Sequence, residues 1–438
     1  MTEQPPTSEG DTTSAEVLRR AAAVLPGGAS GSWRSSDPTV VARTKGSRIW
    51  TTEGQEYLDH ILAWGNIVLG HSDARVIKAV LSAASTSDLT TIGPQRGEVE
   101  LAELIVSIMP SAEQVAFCLS GTEATLHAAQ LVRARTGRTR LLKFHGSYHG
   151  WHDHLAVGVR AAPGSKQDPE KYQPESDGIV DTAVKQITVV EWNNAEELKD
   201  AFQTHGNELA GVFCEPYVQS YGCVAAQAGF LETIRELCDS HRVPLVFDEV
   251  KTAFRHHVGG YQALCRVSPD LTAFSKGLGN GFAIGGLAGR KDLMEGFKLG
   301  ASDNAVMDGT NNASPYSMAA GITTLRTLMD GGVDRLWALG ERMRTGLEAA
   351  IADTGIEACV AGIGSSWIVY FRTSVPHNYA QALDSDLAKA ERFAVELRKR
   401  GIAEPLIALG DRRLCLATDE SEIDAAVMEA RSALATLK

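Results

Sequence analysis

The stretch LAGVFCEPYVQSYGCVAAQAGFLETIRELCDSHRVPLVFDEV, residues 209–250, decides the fold. It opens on a short apolar run, LAGVFC, stopped by Glu215-Pro216, and closes on a second, VPLVFD. Between them FLETIRELCDSH (230–241) has the spacing of an amphipathic helix. Two continuously apolar strands joined through a helix are the unit of a parallel sheet covered on both faces.

The same alternation extends in both directions. EQVAFCLS (113–120) precedes TEATLHAAQLVRARTG (122–137). RLLKF (140–144) follows, then QITVVE (186–191) with AEELKDAFQTHG (195–206), and, beyond residue 250, DLTAFS (270–275). The pattern fades after about residue 320. There helical stretches at 314–331, 333–353, 385–401 and 420–436 flank the strands SSWIVYF (365–371) and RLCLA (413–417), as in a smaller α+β domain. Upstream, SAEVLRRAAAVLPGG (14–28) reads as a helix starting at a serine cap and stopped by Pro26 and Gly27. Residues 47–60 read as two short strands around Glu53-Gly54, and 72–86 and 97–109 as helices. The expected organisation is a tail at 1–12 and a segment at 13–70 that joins the small domain. A large domain follows at 71–320, then the C-terminal small domain at 321–438. Residues 145–185 show little periodicity, and a loop of that length reads as a lid or an interface segment.

Composition narrows the function. Among 438 residues, 44% are hydrophobic and 22% charged, which suits a globular protein with a sizeable core. Lys and Arg number 42 against 54 Asp and Glu, a net charge of −12 without a basic run, which argues against nucleic acid as a partner. No apolar run approaches the roughly 20 residues of a membrane helix. The start, MTEQPPTSEGDTTSAE, is polar and acidic without an apolar signal core, and reads as a disordered tail. The seven cysteines are scattered without a CxxC pair, so reduced thiols in a cytoplasm are expected, not a disulfide framework or a zinc site.

In a parallel sheet of this kind ligands bind beyond the carboxyl ends of the strands. The residues found there are Ser120-Gly121-Thr122, then His145 to Gly150, then Glu215-Pro216, Asp248-Glu249 and Ser275-Lys276-Gly277. Lys276 lies between the apolar LTAF and the glycines of GLGNG, where a charged amine costs desolvation energy unless it is paired or covalently used. A lysine so placed can form a Schiff base with an aldehyde, and pyridoxal phosphate is the cofactor that needs one. Such a cofactor also needs an acid beside its ring nitrogen, for which Asp248 is placed. It needs backbone N–H groups for its phosphate, which Ser120, Gly121 and Thr122 offer at a helix start. It needs a flat ring partner, for which Tyr148 in GSYHG is placed. Each residue alone has an ordinary reading: SGTE as a capping box, Asp248 as a strand-end carboxylate, Lys276 as a surface lysine, GLGNG as a turn. Their occurrence at successive strand ends favours the joint one. His149 is read as a plain loop residue.

These residues resemble a known family. FDEVKTAFR (247–255) followed by PDLTAFSKGLGNGFAIGGLAG (269–289) is similar to the signature of class III pyridoxal-phosphate aminotransferases, of fold type I. The similarity runs from about residue 25 to the C-terminus. PGGASGSWR, GSRIWTTEGQEYLD, FHGSYHGWHD, CEPYVQSYGCV and DGTNNASPYSMAAG are most similar to the glutamate-1-semialdehyde aminomutase branch. The resemblance implies an α/β large domain with a mostly parallel seven-stranded sheet flanked by helices. It makes Lys276 the covalent tether and proton carrier and Asp248 the partner of the ring nitrogen. Val250 and Tyr148 would pack on opposite ring faces, and Glu215 would lie near the cofactor's polar edge. Thr310 would reach the phosphate in the neighbouring subunit of a homodimer. Arg34 would hold a substrate carboxylate.

The chain also departs from the pattern. Leu119 stands where the family has asparagine, Lys251 and Ala253 stand within its DEVMTGFR, and Gly31 replaces a serine of the aminomutases. EPLIALGDRRLCLA (404–417) holds no counterpart of an aminomutase glutamate, and Arg412-Arg413 in it read as a solvated turn. These changes fall on groups expected to touch substrate rather than cofactor. The expected reaction is therefore transfer of an amino group between a carboxylate-bearing donor, a non-standard or β-amino acid among the options, and a keto or aldehyde acceptor. An intramolecular aminomutase and an amino-acid epimerase or racemase are the alternatives.

Overall fold

The computed structural model describes residues 13–32, 34, 39–160 and 172–437. The tail read at 1–12 lies outside them, as do residues 161–171 of the long loop.

Seven strands form the central sheet: β1 (Gln114–Cys118), β2 (Arg140–Phe144), β3 (Ile187–Val190), β4 (Leu209–Cys214), β5 (Leu245–Asp248), β6 (Leu271–Phe274) and β7 (Gly285–Gly289). Their spatial order is β1-β7-β6-β5-β4-β2-β3. β3, β2, β4, β5 and β6 run parallel, whereas β7 pairs antiparallel with both β6 and β1. β4, β5 and β6 are buried at every position, as their unbroken apolar runs require. The helices α1 (Gly121–Thr136), α2 (Ala195–His205) and α3 (Phe230–His241) cross between strands and cover the faces. On one side Phe144, Trp192, Phe202, Phe230 and Ile234 pack together, and on the other Ala128, Leu131 and Val132 pack against Leu141, Phe213 and Val246.

β7 has no counterpart among the strands read from the sequence, because GGLAG carries none of the β-branched or aromatic residues that mark strands. Its position explains the composition. A Cβ on Gly286 would lie 2.4 Å from Phe274, and one on Gly285 2.5 Å from the Ser120 carbonyl. Glycine here lets β7 and the turn after β1 close on each other.

The remaining elements build two smaller sheets. One joins the strands Val41–Lys45, Arg48–Thr51 and Glu56–Asp59 to Ile402–Ala403, with Ile402 opposite Leu58 in parallel register. The other joins Cys359–Ile363, Ser366–Tyr370 and Arg412–Arg413. Helices Val333–Thr354, Leu387–Lys399 and Glu420–Ala435 bury Met343, Leu347, Phe393 and Ile423 against Trp367 and Leu58. Two boundaries differ from the sequence reading. The first helix, Ser14–Val24, is capped by the Thr13 side chain rather than by Ser14. RLCLA contributes only Arg413 to a strand, because its neighbours turn back to bond Val68 and Ser365. No described helix is long and apolar enough to cross a membrane. All seven cysteines are free.

Candidate active site

The carboxyl ends of the parallel strands open into a cavity of about 510 Å³. At the end of β6 the backbone turns sharply, and Lys276 adopts φ +31°. That is an uncommon conformation for a residue with a side chain, held here as at many functional sites. The turn is pinned by Ser275 Oγ, which donates to the Ile284 carbonyl at 2.7 Å. Lys276 lines the cavity. Burial, and next the charge of Lys251, pull its amine from the usual lysine range down to about 8, against the opposing pull of Asp248 and Glu215. Desolvation thus brings the amine closer to its neutral form than an ordinary lysine.

Asp248 ends β5 and is 4% exposed. Its Oδ1 accepts from the Val250 N–H at 3.0 Å, and its Oδ2 lies 2.8 Å from His149 Nδ1. This corrects the reading of His149 as a plain loop residue. It is 1% exposed, and its ring holds the aspartate, with Nε2 unpartnered among the described residues. Nothing local in GSYHG signals a partner 99 residues away.

Glu215, at the end of β4, accepts from the N–H groups of Tyr148 (3.0 Å), Gln219 (3.1 Å) and Ser220 (3.0 Å). Burial first, and the Asp248 charge second, push its carboxyl above the usual range. The Tyr148 loop is fixed from beneath by Lys143, whose ammonium donates to the carbonyls of Ser147 (2.8 Å), Leu155 (3.1 Å) and Val157 (2.8 Å). Tyr148 is half-buried, and burial raises its pKa.

At the end of β1, Ser120 caps α1: its Oγ accepts from Glu123 N at 3.2 Å, and Glu123 reaches back to the Leu119 N–H at 2.6 Å. The ordinary reading of SGTE as a capping motif therefore holds. The cap leaves the N–H groups of Gly121 and Thr122 for a ligand at a cavity that both residues line. Gly121 is close against Val250, where an added Cβ would come within 2.7 Å, and Gly150 is similarly close to Thr122. Ser120, Gly121, Thr122, Tyr148, Glu215, Asp248, Val250 and Lys276 thus share one cavity.

Two candidates lie elsewhere. Arg34 and Thr310 are exposed and do not line the cavity of their own chain. Arg412 and Arg413, read as a solvated turn, are 2% and 0% exposed. Arg412 Nε is 2.5 Å from Glu404, which also meets His60 Nδ1 at 2.8 Å, and Arg413 pairs with Asp411. Their charges are met by carboxylates distant enough in sequence or conformation that local polarity did not reveal them.

Trp64 was not a sequence candidate. Leu62, Ala63 and Trp64 take φ of 47°, 50° and 57°, a left-handed turn that costs about 1–2 kcal/mol per residue. Asp59 Oδ1 accepts from the N–H groups of Ile61 (2.8 Å) and Leu62 (3.0 Å), and Arg255 donates to the Gly65 carbonyl at 3.1 Å. The turn brings Trp64 to the cavity wall.

The donors in this cavity fit pyridoxal phosphate: a buried lysine, a held carboxylate, a helix start with unpaired N–H groups, and glycines that leave room beside them. Comparison with known proteins agrees. The family model "Aminotransferase class-III" matches residues 31–407. The chain is 37% identical, over 97% of its length and 99% of the relative, to the glutamate-1-semialdehyde 2,1-aminomutase of Methanothermobacter thermautotrophicus. Among solved structures, an omega-transaminase from Sphaerobacter thermophilus superposes with a TM-score of 0.91 at 32% identity, covering 97% of each chain. A transaminase with PLP bound superposes with a TM-score of 0.87 at 28% identity, again covering 97% of each. The chain belongs to the class III aminotransferases, enzymes of fold type I that depend on pyridoxal phosphate.

Proposed function

We propose that this enzyme transfers an amino group between separate donor and acceptor molecules by a ping-pong sequence. The donor is a carboxylate-bearing amine of non-standard or β-amino type, and the acceptor is a keto compound or an aldehyde. The observation that carries the reading is the convergence of Lys276, Asp248 and the start of α1 on one cavity.

When bound, pyridoxal phosphate supplies a carbonyl for the amine and an electron sink for the charge left at the donor carbon. Gly121 and Thr122 would hold its phosphate through their N–H groups, with Ser120 fixing the helix start. Asp248, held by His149 and by the Val250 N–H, would keep a proton on the ring nitrogen. Val250 and Tyr148 would pack against the ring, and Glu215 keeps the Tyr148 loop in place. Lys276 would tether the cofactor and, as general base and acid, would take the donor's carbon-bound proton and give it back. Thr310, exposed on its own chain, would serve the site of a second subunit in a homodimer. Arg34 would meet a substrate carboxylate.

An intramolecular aminomutase is the second reading, favoured by the near full-length similarity to glutamate-1-semialdehyde 2,1-aminomutase. An epimerase is a third, and it would exchange the carbon-bound hydrogen without net transfer. The test is to mix the holoenzyme with a panel of amines and amino acids, without an acceptor, and follow the visible absorbance. Bleaching with stoichiometric free carbonyl product supports intermolecular transfer. Turnover to an isomer without free product overturns it in favour of the mutase. A protein that takes up no pyridoxal phosphate overturns the whole reading.

A further inference from the structure

Lys251 stands in the turn after β5, three residues beyond Asp248, where the family motif quoted above has methionine. Its side chain is 12% exposed and lines the same cavity as Lys276 and Asp248. An ammonium has three donors. One bonds Asp411 Oδ1 at 3.0 Å, a second makes a long bond of 3.4 Å to the Gln219 carbonyl, and the third has no partner among the described residues.

The carboxylate that meets it is shared. Asp411 is 0% exposed and is shared: it takes Lys251 on one oxygen, and Gln219 Nε2 (2.8 Å) and Arg413 on the other. Arg412 pairs instead with Glu404, which also meets His60. Glu215 and Asp248 line the same cavity but bond other groups, Glu215 taking three backbone N–H groups and Asp248 the Val250 N–H and His149. Two cations therefore share Asp411, and one donor of the Lys251 ammonium borders the cavity unmet among the described residues. A largely buried donor without a partner is costly unless a ligand meets it. The same Asp411 and Gln219 contacts hold the ammonium in place, so that a ligand would find it already oriented.

We propose that Lys251 is an oxyanion-binding residue of this cavity, pinned by Asp411 and Gln219. The oxyanion belongs either to the cofactor ring or to a substrate carboxylate. The inference rests on the reading of the cavity as the pyridoxal phosphate site.

The test compares the wild-type holoenzyme with Lys251→Met, which keeps length and removes charge, and with Lys251→Arg, which keeps charge. Two measurements are made on each: the dissociation constant of pyridoxal phosphate, and the change in visible absorbance on adding propionate or its uncharged equivalent, propanamide. If the oxyanion is the substrate's, Lys251→Met weakens propionate at least tenfold and leaves propanamide within twofold. If it is the cofactor's, Lys251→Met weakens pyridoxal phosphate at least tenfold and shifts the pH midpoint of the chromophore without substrate. In either case Lys251→Arg recovers most of the loss, which separates charge from packing. A Lys251→Met protein with unchanged cofactor affinity, chromophore midpoint and propionate selectivity overturns the proposal. Should that variant not fold, Lys251→Gln and Lys251→Arg proteins judged on the same measurements decide it, with Gln losing either cofactor affinity or the preference for propionate and Arg keeping both. A wild-type protein that binds no pyridoxal phosphate would overturn the cavity's assignment instead, so the two failures are distinct.

Discussion

Two lysines sit near the carboxyl ends of parallel strands in this molecule, and they differ in what surrounds the amine. Lys143, on β2, is 0% exposed, and its amine is bonded to three backbone carbonyls. Lys276, after β6, faces the cavity and has Asp248 and Glu215 nearby but no carbonyl cage. Burial lowers both, Lys143 to about 7 and Lys276 to about 8. A depressed pKa therefore does not separate a reactive lysine from a structural one. The satisfied donors do, since an amine whose hydrogens are all engaged cannot be offered to a ligand.

The sharpest way to break this contrast is to remove each lysine. Lys276→Ala is expected to abolish turnover, by roughly 10⁴-fold or more, and to remove the covalent chromophore. Absorbance and steady-state rates check this, and a variant with normal rates would end the assignment of Lys276. Asp248→Asn comes next, with a loss of roughly 10²–10³-fold in kcat at unchanged folded content, the range seen when one fixed electrostatic partner is removed. An unchanged kcat would take Asp248 off the ring nitrogen. Lys143→Met is expected to act on stability instead. It leaves three buried carbonyls unmet and should cost about 2–4 kcal/mol in urea denaturation, with kcat per folded molecule falling less than tenfold. A catalytic collapse without destabilisation would reverse the contrast.

pH separates the two amines more finely. In cofactor-free protein, labelling of Lys276 by an amine-reactive reagent should rise with pH and level off above about 8. Below that midpoint the amine is protonated and inert, and above it the amine is neutral. Lys143 should stay unlabelled across the same range. Peptide mapping by mass spectrometry reads both, and a midpoint near the ordinary lysine value would show that the amine is not desolvated. The smallest effect is expected for Arg34→Ala, roughly a threefold to tenfold rise in KM for carboxylated donors and none for simple amines. Equal changes for both would remove Arg34 from the substrate site.

Much of the site was legible because strand ends are legible. VPLVFDEV and DLTAFSK announce a buried strand followed by a charged residue, and a parallel sheet collects such residues on one side. The strand GGLAG was not legible, because its reason for being glycine is the closeness of Phe274 and Ser120, which no local pattern carries. His149, Arg412 and Arg413 were misread for a related reason. Local polarity suggests solvent, whereas each is buried against a carboxylate, that of His149 supplied by a strand 99 residues away and those of Arg412 and Arg413 by their own segment folded into the interior. Trp64 reaches the cavity through a left-handed turn that its own sequence disfavours and that Asp59 and Arg255 impose.

The pairing of Ile402 with Leu58 has a consequence for how the molecule is made. Every strand of the central sheet lies between residues 114 and 289, so that sheet has all its strands once residue 289 has emerged from the ribosome. The sheet holding residues 41–59 must wait for residues 402–403, more than a hundred residues later. Trp64 leans on the early part of this late assembly, and Ile407 and Gly410 follow its final strand, yet all three wall the cavity. The strand ends bearing Lys276 and Asp248 can therefore be laid down well before the pocket around them is closed.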